Sequence, residues 1–324
     1  MIVVIGEALI DLIENRYQPG AFNAIVGGAN LNVAIALARR GTPQTFLARL
    51  SDDRFGKIIR ERLDTNGVNL DHAISAKELT TLAVVSIDSH GVPSYAFYVN
   101  GTADWGWTPA ELPSGDALKA LGATAIQFGC LTMAMEPGNK VIEAWARPLS
   151  NSVTISHDIN MRPALGFDAE TERIRVERVN EFSHIIKASD EDIQWLYQDE
   201  NADIDAIVGK WIGDTDKHVF VTRGGDGVSI YRKSGAGVSR ADVPSRKINV
   251  VDTVGAGDTF CANLLGQLED RGALGPNGGH LLAALSAADL ADMVRIAGVA
   301  ASITCERAGA EPPTLADLNA TLAV

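Results

Sequence analysis

The chain has 324 residues, 46% of them hydrophobic and 21% charged, a composition that suits a folded globular protein and excludes a disordered or fibrous one. A formal net charge of −13 argues against nucleic acid or an anionic membrane as partner, because both call for a basic patch. Cys130, Cys261 and Cys305 lie far apart without CxxC or Cys/His spacing, which speaks for buried thiols in a reducing compartment and against zinc.

Met1-Ile-Val-Val-Ile-Gly6 has no basic leader and reads as a first strand, and no apolar run reaches the ~18 residues of a membrane span. A cytoplasmic protein is the expectation. Further apolar runs follow at Thr45–Leu47, Ala125–Phe128, Val153–Ser156, His184–Ile186 and Val219–Thr222, alternating with helical patterns. That rhythm predicts a parallel sheet buried between helices on both faces, a three-layer α/β/α fold over the whole chain, 1–324.

Between Asn30 and Arg39, Leu31, Ala34, Ile35 and Ala38 recur at helical spacing, with Asn30 placed to cap and Gly41 to end the helix. The pair Gly27-Gly28 stands just before it. Residues 11–26 and 82–107 break the rhythm; in the second, Leu82–Asp88 and Ser94–Asn100 flank Ser89-His-Gly-Val-Pro93 as a hairpin with a Gly-Pro turn region. These two segments are expected to pair into a small sheet that serves as a lid. Downstream, Phe260, Cys261, Leu264, Leu265 and Leu268 form a helical stripe opened by Gly255 and Gly257, and the Ala-rich runs Leu281–Ala291 and Ala297–Ala301 read as helical.

In Thr253-Val-Gly-Ala-Gly-Asp258, small residues let successive backbone N–H groups converge at the positive end of a helix dipole, where an anion is stabilised. A carboxylate at Asp258, in the first turn, is placed to take a proton from a hydroxyl beside that anion. The same residues also read as a plain tight turn with an acidic residue complementing the dipole. There is no Gly-Lys-Ser/Thr run, and no G-x-G-x-x-G follows the first strand, so P-loop and dinucleotide sites lack support.

The run Asp252-Thr-Val-Gly-Ala-Gly-Asp-Thr-Phe260, with Gly27-Gly28-Ala-Asn30, closely resembles the two motifs of the ribokinase-like, phosphofructokinase-B carbohydrate kinases. The resemblance extends in order through Asp158-Ile-Asn-Met-Arg162, Lys187-Ala-Ser-Asp190 and Thr222-Arg-Gly-Gly-Asp-Gly227, and is nearest to fructokinases and 2-keto-3-deoxygluconate kinases. It implies a ribokinase-like fold and transfer of the γ-phosphoryl of ATP, with magnesium, to a sugar hydroxyl. Asp258 would be the base, and the backbone of Gly255, Ala256 and Gly257 the anion hole. Asp11, Gly27, Gly28, Asn30, Asn32, Tyr98, Asp158 and Asn160 would belong to the sugar site, and Arg162 would hold sugar or developing phosphoryl charge.

Lys187, Ser189, Thr222, Arg223, Gly224, Gly225 and Gly227, with Gly255 and Gly257, would line the ATP side. Lys187-Ala-Ser-Asp190 stands where many relatives carry N-x-x-E, so Asp190 would reach magnesium through water and Lys187 would meet phosphate. Asp252, Val254, Cys305, Ala308 and Ala310 line up with a potassium site. Tyr95-Ala-Phe-Tyr-Val-Asn-Gly-Thr-Ala-Asp104 resembles the F-Y-R-x-x-x-A-D stretch of fructokinases except that Val99 replaces arginine, which argues against a 2-keto-3-deoxy acid and for fructose or a similar neutral ketose. Tyr98, Trp105 and Trp107 are candidates to cover a sugar face. A 2-keto-3-deoxygluconate or nucleoside kinase of the same fold, a phosphosugar kinase and a non-catalytic sugar-binding regulator are the other readings. A homodimer through the lid is expected from its exposed sheet.

Overall fold

The structure is a computed structural model that describes every residue except Arg16, Pro19, Asp88–Val92, Ala236 and Val324. The strands, in chain order, are β1 (Ile2–Ile5), β2 (Leu9–Glu14), β3 (Phe22–Gly27), β4 (Gln44–Leu47), β5 (Arg49–Ser51), β6 (Ile74–Ala76), β7 (Leu82–Ile87), β8 (Pro93–Tyr98), β9 (Ala125–Gly129), β10 (Thr154–Asp158), β11 (Ile185–Ser189), β12 (His218–Thr222), β13 (Val228–Ser234) and β14 (Gly237–Val243). Eight of them form one sheet in the order β14-β13-β12-β11-β10-β9-β1-β4. From β4 to β12 the pairing is parallel, whereas β12, β13 and β14 run antiparallel. The parallel sheet is thus as expected, and it is extended at one edge by an antiparallel hairpin, where the glycine-rich turn after Thr222 reverses the chain instead of feeding a crossover helix.

Side chains alternate across the pleat, and this splits the core in two. Ile2 and Val4 pack with Leu31, Ile35, Phe260, Leu264 and Val294 on one face. Val3 and Ile5 pack on the other with Ile126, Phe128, Ile142 and Ile155. Ile186, Val219 and Val221 continue that second layer against Val176, Leu196 and Trp211. Helices therefore cover both faces, which gives the three-layer α/β fold.

β3, β2, β7 and β8 make a separate four-stranded sheet in that order, with β2 and β7 parallel and the outer pairs antiparallel. The expected turn at Ser89–Pro93 lies outside the described residues, save Pro93, where β8 begins. After β8 the chain leaves this sheet. Trp105 and Trp107, considered as sugar-covering aromatics, are each only 3% exposed and belong to the core, where apolar packing outweighs display.

Two helix expectations shift. The first helix is Ala29–Arg40, with Gly28 rather than Asn30 at its N-cap position and Gly41 ending it at φ 82°. The Ala-rich C-terminal region is broken into Gly278–Ala283 and Ala287–Cys305, because the Ser286 hydroxyl caps the second helix by accepting from the Asp289 amide at 3.0 Å. No helix among the described residues is long and apolar enough to cross a membrane.

Candidate active site

The chemically distinctive residues gather at the carboxyl ends of the parallel strands, the position at which open α/β sheets bind ligands. β10 ends on Asp158 and leads into Asn160 and Arg162, β11 ends on Ser189, and β12 ends on Thr222. The 15-residue helix Ala256–Asp270 points its N-terminus at the same place.

Gly255 occupies the N-cap of that helix in the left-handed region, φ 75°, and a Cβ there would lie 2.6 Å from the Ala310 methyl. Glycine is required on both counts. The Ala256 amide donates to the Thr253 carbonyl at 3.3 Å, while the amides of Gly257 and Asp258 donate to no acceptor among the described residues. Free first-turn amides backed by a long helix make an anion-binding end.

Asp258 is 5% exposed and holds three segments together. Its Oδ2 accepts from Asn32 Nδ2 at 2.8 Å and its Oδ1 from Asn160 Nδ2 at 3.3 Å. Burial, aided by the charge of Asp158, raises its pKa to about 6, against the opposing pull of Asn32, Lys187 and Arg162. A base near that value is ionised at neutral pH and still able to accept a proton.

Asn160 sits at φ 42° and accepts at Oδ1 from Arg162 Nη1 at 2.6 Å; the same Nη1 donates to the Met161 carbonyl at 2.9 Å. Among the described residues no carboxylate pairs with this guanidinium, though Asp258 and Asp192 lie in its field. Asp11, half-buried on β2, is raised to about 6 by burial, with Arg162 opposing. Gly27 is packed against the Asp11 carboxylate.

Asn30 does not face the open site. Its Nδ2 donates to Glu7 at 2.9 Å and to the Gly129 carbonyl at 3.2 Å, and the residue is 2% exposed. Glu7, which sequence reasoning passed over, is the missing cap: its carboxylate accepts from the Ala29 amide at 2.8 Å and also from Thr132. A carboxylate directly after the first strand, opposite a helix start without a capping side chain, was the available signal. Gly28 lets this happen, since a Cβ on it would stand 2.6 Å from the Glu7 carbonyl oxygen.

Asp158 and Lys187, expected at the sugar and at phosphate, are instead bonded to each other. Lys187 Nζ donates to both carboxylate oxygens at 2.8 and 3.0 Å, and both side chains are buried. Although burial favours the neutral amine, Asp158 and Asp192 hold the ammonium above its ordinary range. Ser189 caps the helix Asp190–Tyr197 and shares a capping box with Asp192, whose Oδ1 accepts from the Met161 amide at 2.7 Å. Asp190, expected at magnesium, is half-buried and accepts from the Glu191 amide at 3.0 Å.

In the turn after β12, expected to border ATP, Arg223 donates to Asp242 at 3.0 Å, Gly224–Asp226 form one 3-10 turn, and Gly227 at φ 100° lies against the end of β14. Gly225 has open space around it. Asp252 accepts from the amides of Val254 at 3.0 Å and Gly309 at 2.8 Å, and the Cys305 carbonyl accepts from Val251 and Asp252. The carbonyl of Cys305 is thus already engaged by backbone. Tyr98 is 61% exposed at the end of β8. Among the described residues no three His, Cys, Asp or Glu side chains converge on a metal position.

Residues 1–317 match the family described as pfkB family carbohydrate kinase. A fructokinase of Rhizobium leguminosarum bv. trifolii is 37% identical over 272 residues, 83% of this chain and 80% of that one. A probable fructokinase-4 of Arabidopsis thaliana is 30% identical across 99% of this chain and 96% of its own length. The crystal structure of a fructokinase with bound ATP from Xylella fastidiosa superimposes with a TM-score of 0.86 at 24% identity, covering 99% of this chain and 98% of that one, which shows the shared fold. With its glycine turn, buried Asp258 and whole-length match in agreement, the chain belongs to the pfkB family of carbohydrate kinases.

Proposed function

We propose that this carbohydrate kinase transfers the γ-phosphoryl of ATP to a hydroxyl of a small neutral sugar, with D-fructose as the foremost substrate. The observation that carries the reading is Asp258: a buried carboxylate in the first turn of a long helix, oriented by two amide side chains beside unclaimed backbone N–H groups. Fructokinase relatives at 37% and 30% identity support the choice of sugar.

In this reading Asp258 takes the proton of the attacking hydroxyl, and the amides of Gly257 and Asp258 face the oxygens of the transferring phosphoryl. Arg162, free of any carboxylate partner among the described residues, swings from its Asn160 contact to neutralise charge developing nearby. Asn32, Asn160, Asp11 and the Gly27-Gly28 backbone hold sugar hydroxyls. Thr222, Arg223, Gly224, Gly225 and Gly227, with Ser189, border ATP. The sheet of β3, β2, β7 and β8 excludes water as a lid.

Magnesium would be held by the nucleotide phosphates and, through water, by Asp190; it supplies charge neutralisation on the transferring group. The absence of a converging side-chain cluster among the described residues fits a metal that keeps most of its waters. A potassium ion would take the carbonyls of Val254, Ala308 and Ala310 near Asp252. Exposed Phe22 and Ile25 on the outer strand of the lid offer the surface for a homodimer. Three free cysteines suit a cytoplasmic enzyme.

A coupled assay of D-fructose, other hexoses, ribose and nucleosides with ATP and magnesium, with and without potassium, tests the reading. Fructose should give the highest kcat/KM, and Asp258→Asn should lose turnover by about 10²–10⁴-fold. Faster phosphorylation of a nucleoside, or near-normal turnover in the Asn variant, would overturn it.

A further inference from the structure

We propose that the buried Lys187–Asp158 ion pair is a positioning device for Asp258: its two opposite charges, stacked behind the glycine turn, fix the protonation state of the base and support the turn itself. The inference rests on Asp258 being the base.

The pair is set by strand register. Asp158 on β10 and Lys187 on β11 are direct partners across the parallel ladder, so both side chains leave the sheet on the same face. Lys187 Nζ lies 3.1 Å from where a Gly257 Cβ would stand. The ammonium therefore occupies the volume that glycine leaves free, immediately beneath the first turn of the Ala256–Asp270 helix. An ion pair with both members buried is seldom retained for stability, because desolvation offsets most of the attraction and apolar residues of equal volume do as well. A role in the adjacent chemistry gives this pair a reason to be charged.

The charged and polar groups facing Asp258 come from every surrounding segment. Asn32 reaches it from the Ala29–Arg40 helix, and Asn160 and Arg162 from the segment after β10. Asp158 and Lys187 face it from β10 and β11, and the thiols of Cys130 and Cys261 complete the shell. Asp192 faces the pair from the far side. Asp158 pushes the proton affinity of Asp258 up, and Lys187 pushes it down. Arg162 acts in the same direction as Lys187 but, among the described residues, bonds only within its own segment, to Asn160 and the Met161 carbonyl, whereas the lysine is paired with a buried carboxylate by two hydrogen bonds.

The test is the pH profile of kcat with D-fructose and magnesium ATP for wild type, Asp158→Asn, Lys187→Gln and the double variant. Removing the carboxylate should move the acid-limb midpoint down by about one pH unit, and removing the ammonium should move it up by about as much. The double variant should fall between them, near wild type, and its thermal melt shows whether the neutral pair leaves the fold intact. Midpoints in that order support the inference. Lower kcat with the midpoint unmoved in all three, or any other order, overturns it and leaves the pair a packing feature. Asp258→Asn, run alongside, separates the two failures: near-normal turnover there removes the base assignment itself, while a dead Asn variant with unmoved midpoints removes only the role of the pair.

Discussion

Asn32 Nδ2 donates to Asp258 Oδ2 at 2.8 Å, so the first turns of two helices separated by 226 residues in sequence meet on one carboxylate. The asparagine orients the oxygen and stabilises its charged form, which couples the helix after Gly27-Gly28 to the glycine turn.

Asn32→Ala removes a hydrogen bond to a buried charge, an interaction of about 1.5–3 kcal/mol. Asp258 then loses a group that lowers its pKa, so the acid limb of kcat should move up by about 1–2 pH units and kcat at neutral pH should fall by about 2–10-fold. An unchanged pH profile with only a raised KM would assign Asn32 to the sugar alone.

Asp258 also carries a stability signature. Its folded pKa of about 6 lies above its ordinary value of 3.8, so the folded protein retains a proton that the unfolded chain has released between those limits. Stability falls as pH rises through that window, and the cost is complete above about pH 6. Asp258→Asn should therefore be inactive yet more stable at pH 7.5 by about 1–2 kcal/mol, visible as a higher Tm, and this advantage should vanish near pH 4. Wild-type turnover should decline as pH falls through about 6.

Gly255→Ala places a side chain in the left-handed region against Ala310. The backbone cost of about 1–2 kcal/mol is joined by a clash, so Tm should fall and kcat should drop as the turn tilts. A variant with normal Tm and kcat would show that the turn adapts freely.

Gly225→Ala is the contrasting case. Its φ is ordinary and nothing lies within 4 Å of the added methyl, so Tm should not change. If ATP approaches this backbone closely, KM for ATP should rise several-fold at constant kcat; an unchanged KM would move the nucleotide away from the Thr222–Gly227 segment.

Much of the architecture was legible in the sequence because local signals sufficed. The period-2 and continuous apolar runs marked β1, β4, β9 and β12, and the glycines before Leu31 and before Asp258 marked helix starts through conformations only they adopt easily. The reversal after β12 was only half legible, since the same glycines suit a hairpin and a ligand loop. The motif points to Asp190, whereas the tertiary fold turns Asp192 inward, because two residues along a helix change direction by about 200°.

By itself the sequence determined the layered α/β fold, the family and the glycine turn that carries Asp258, all of which follow from short-range patterns and a distinctive motif. Only the tertiary structure decided which groups those residues meet. Glu7 engages the Asn30 side chain, and the β10–β11 register sets Lys187 against Asp158 behind Gly257. Burial then raises Asp258 toward neutrality. Register, facing and desolvation depend on segments far apart in the chain, so no local window of sequence contains them.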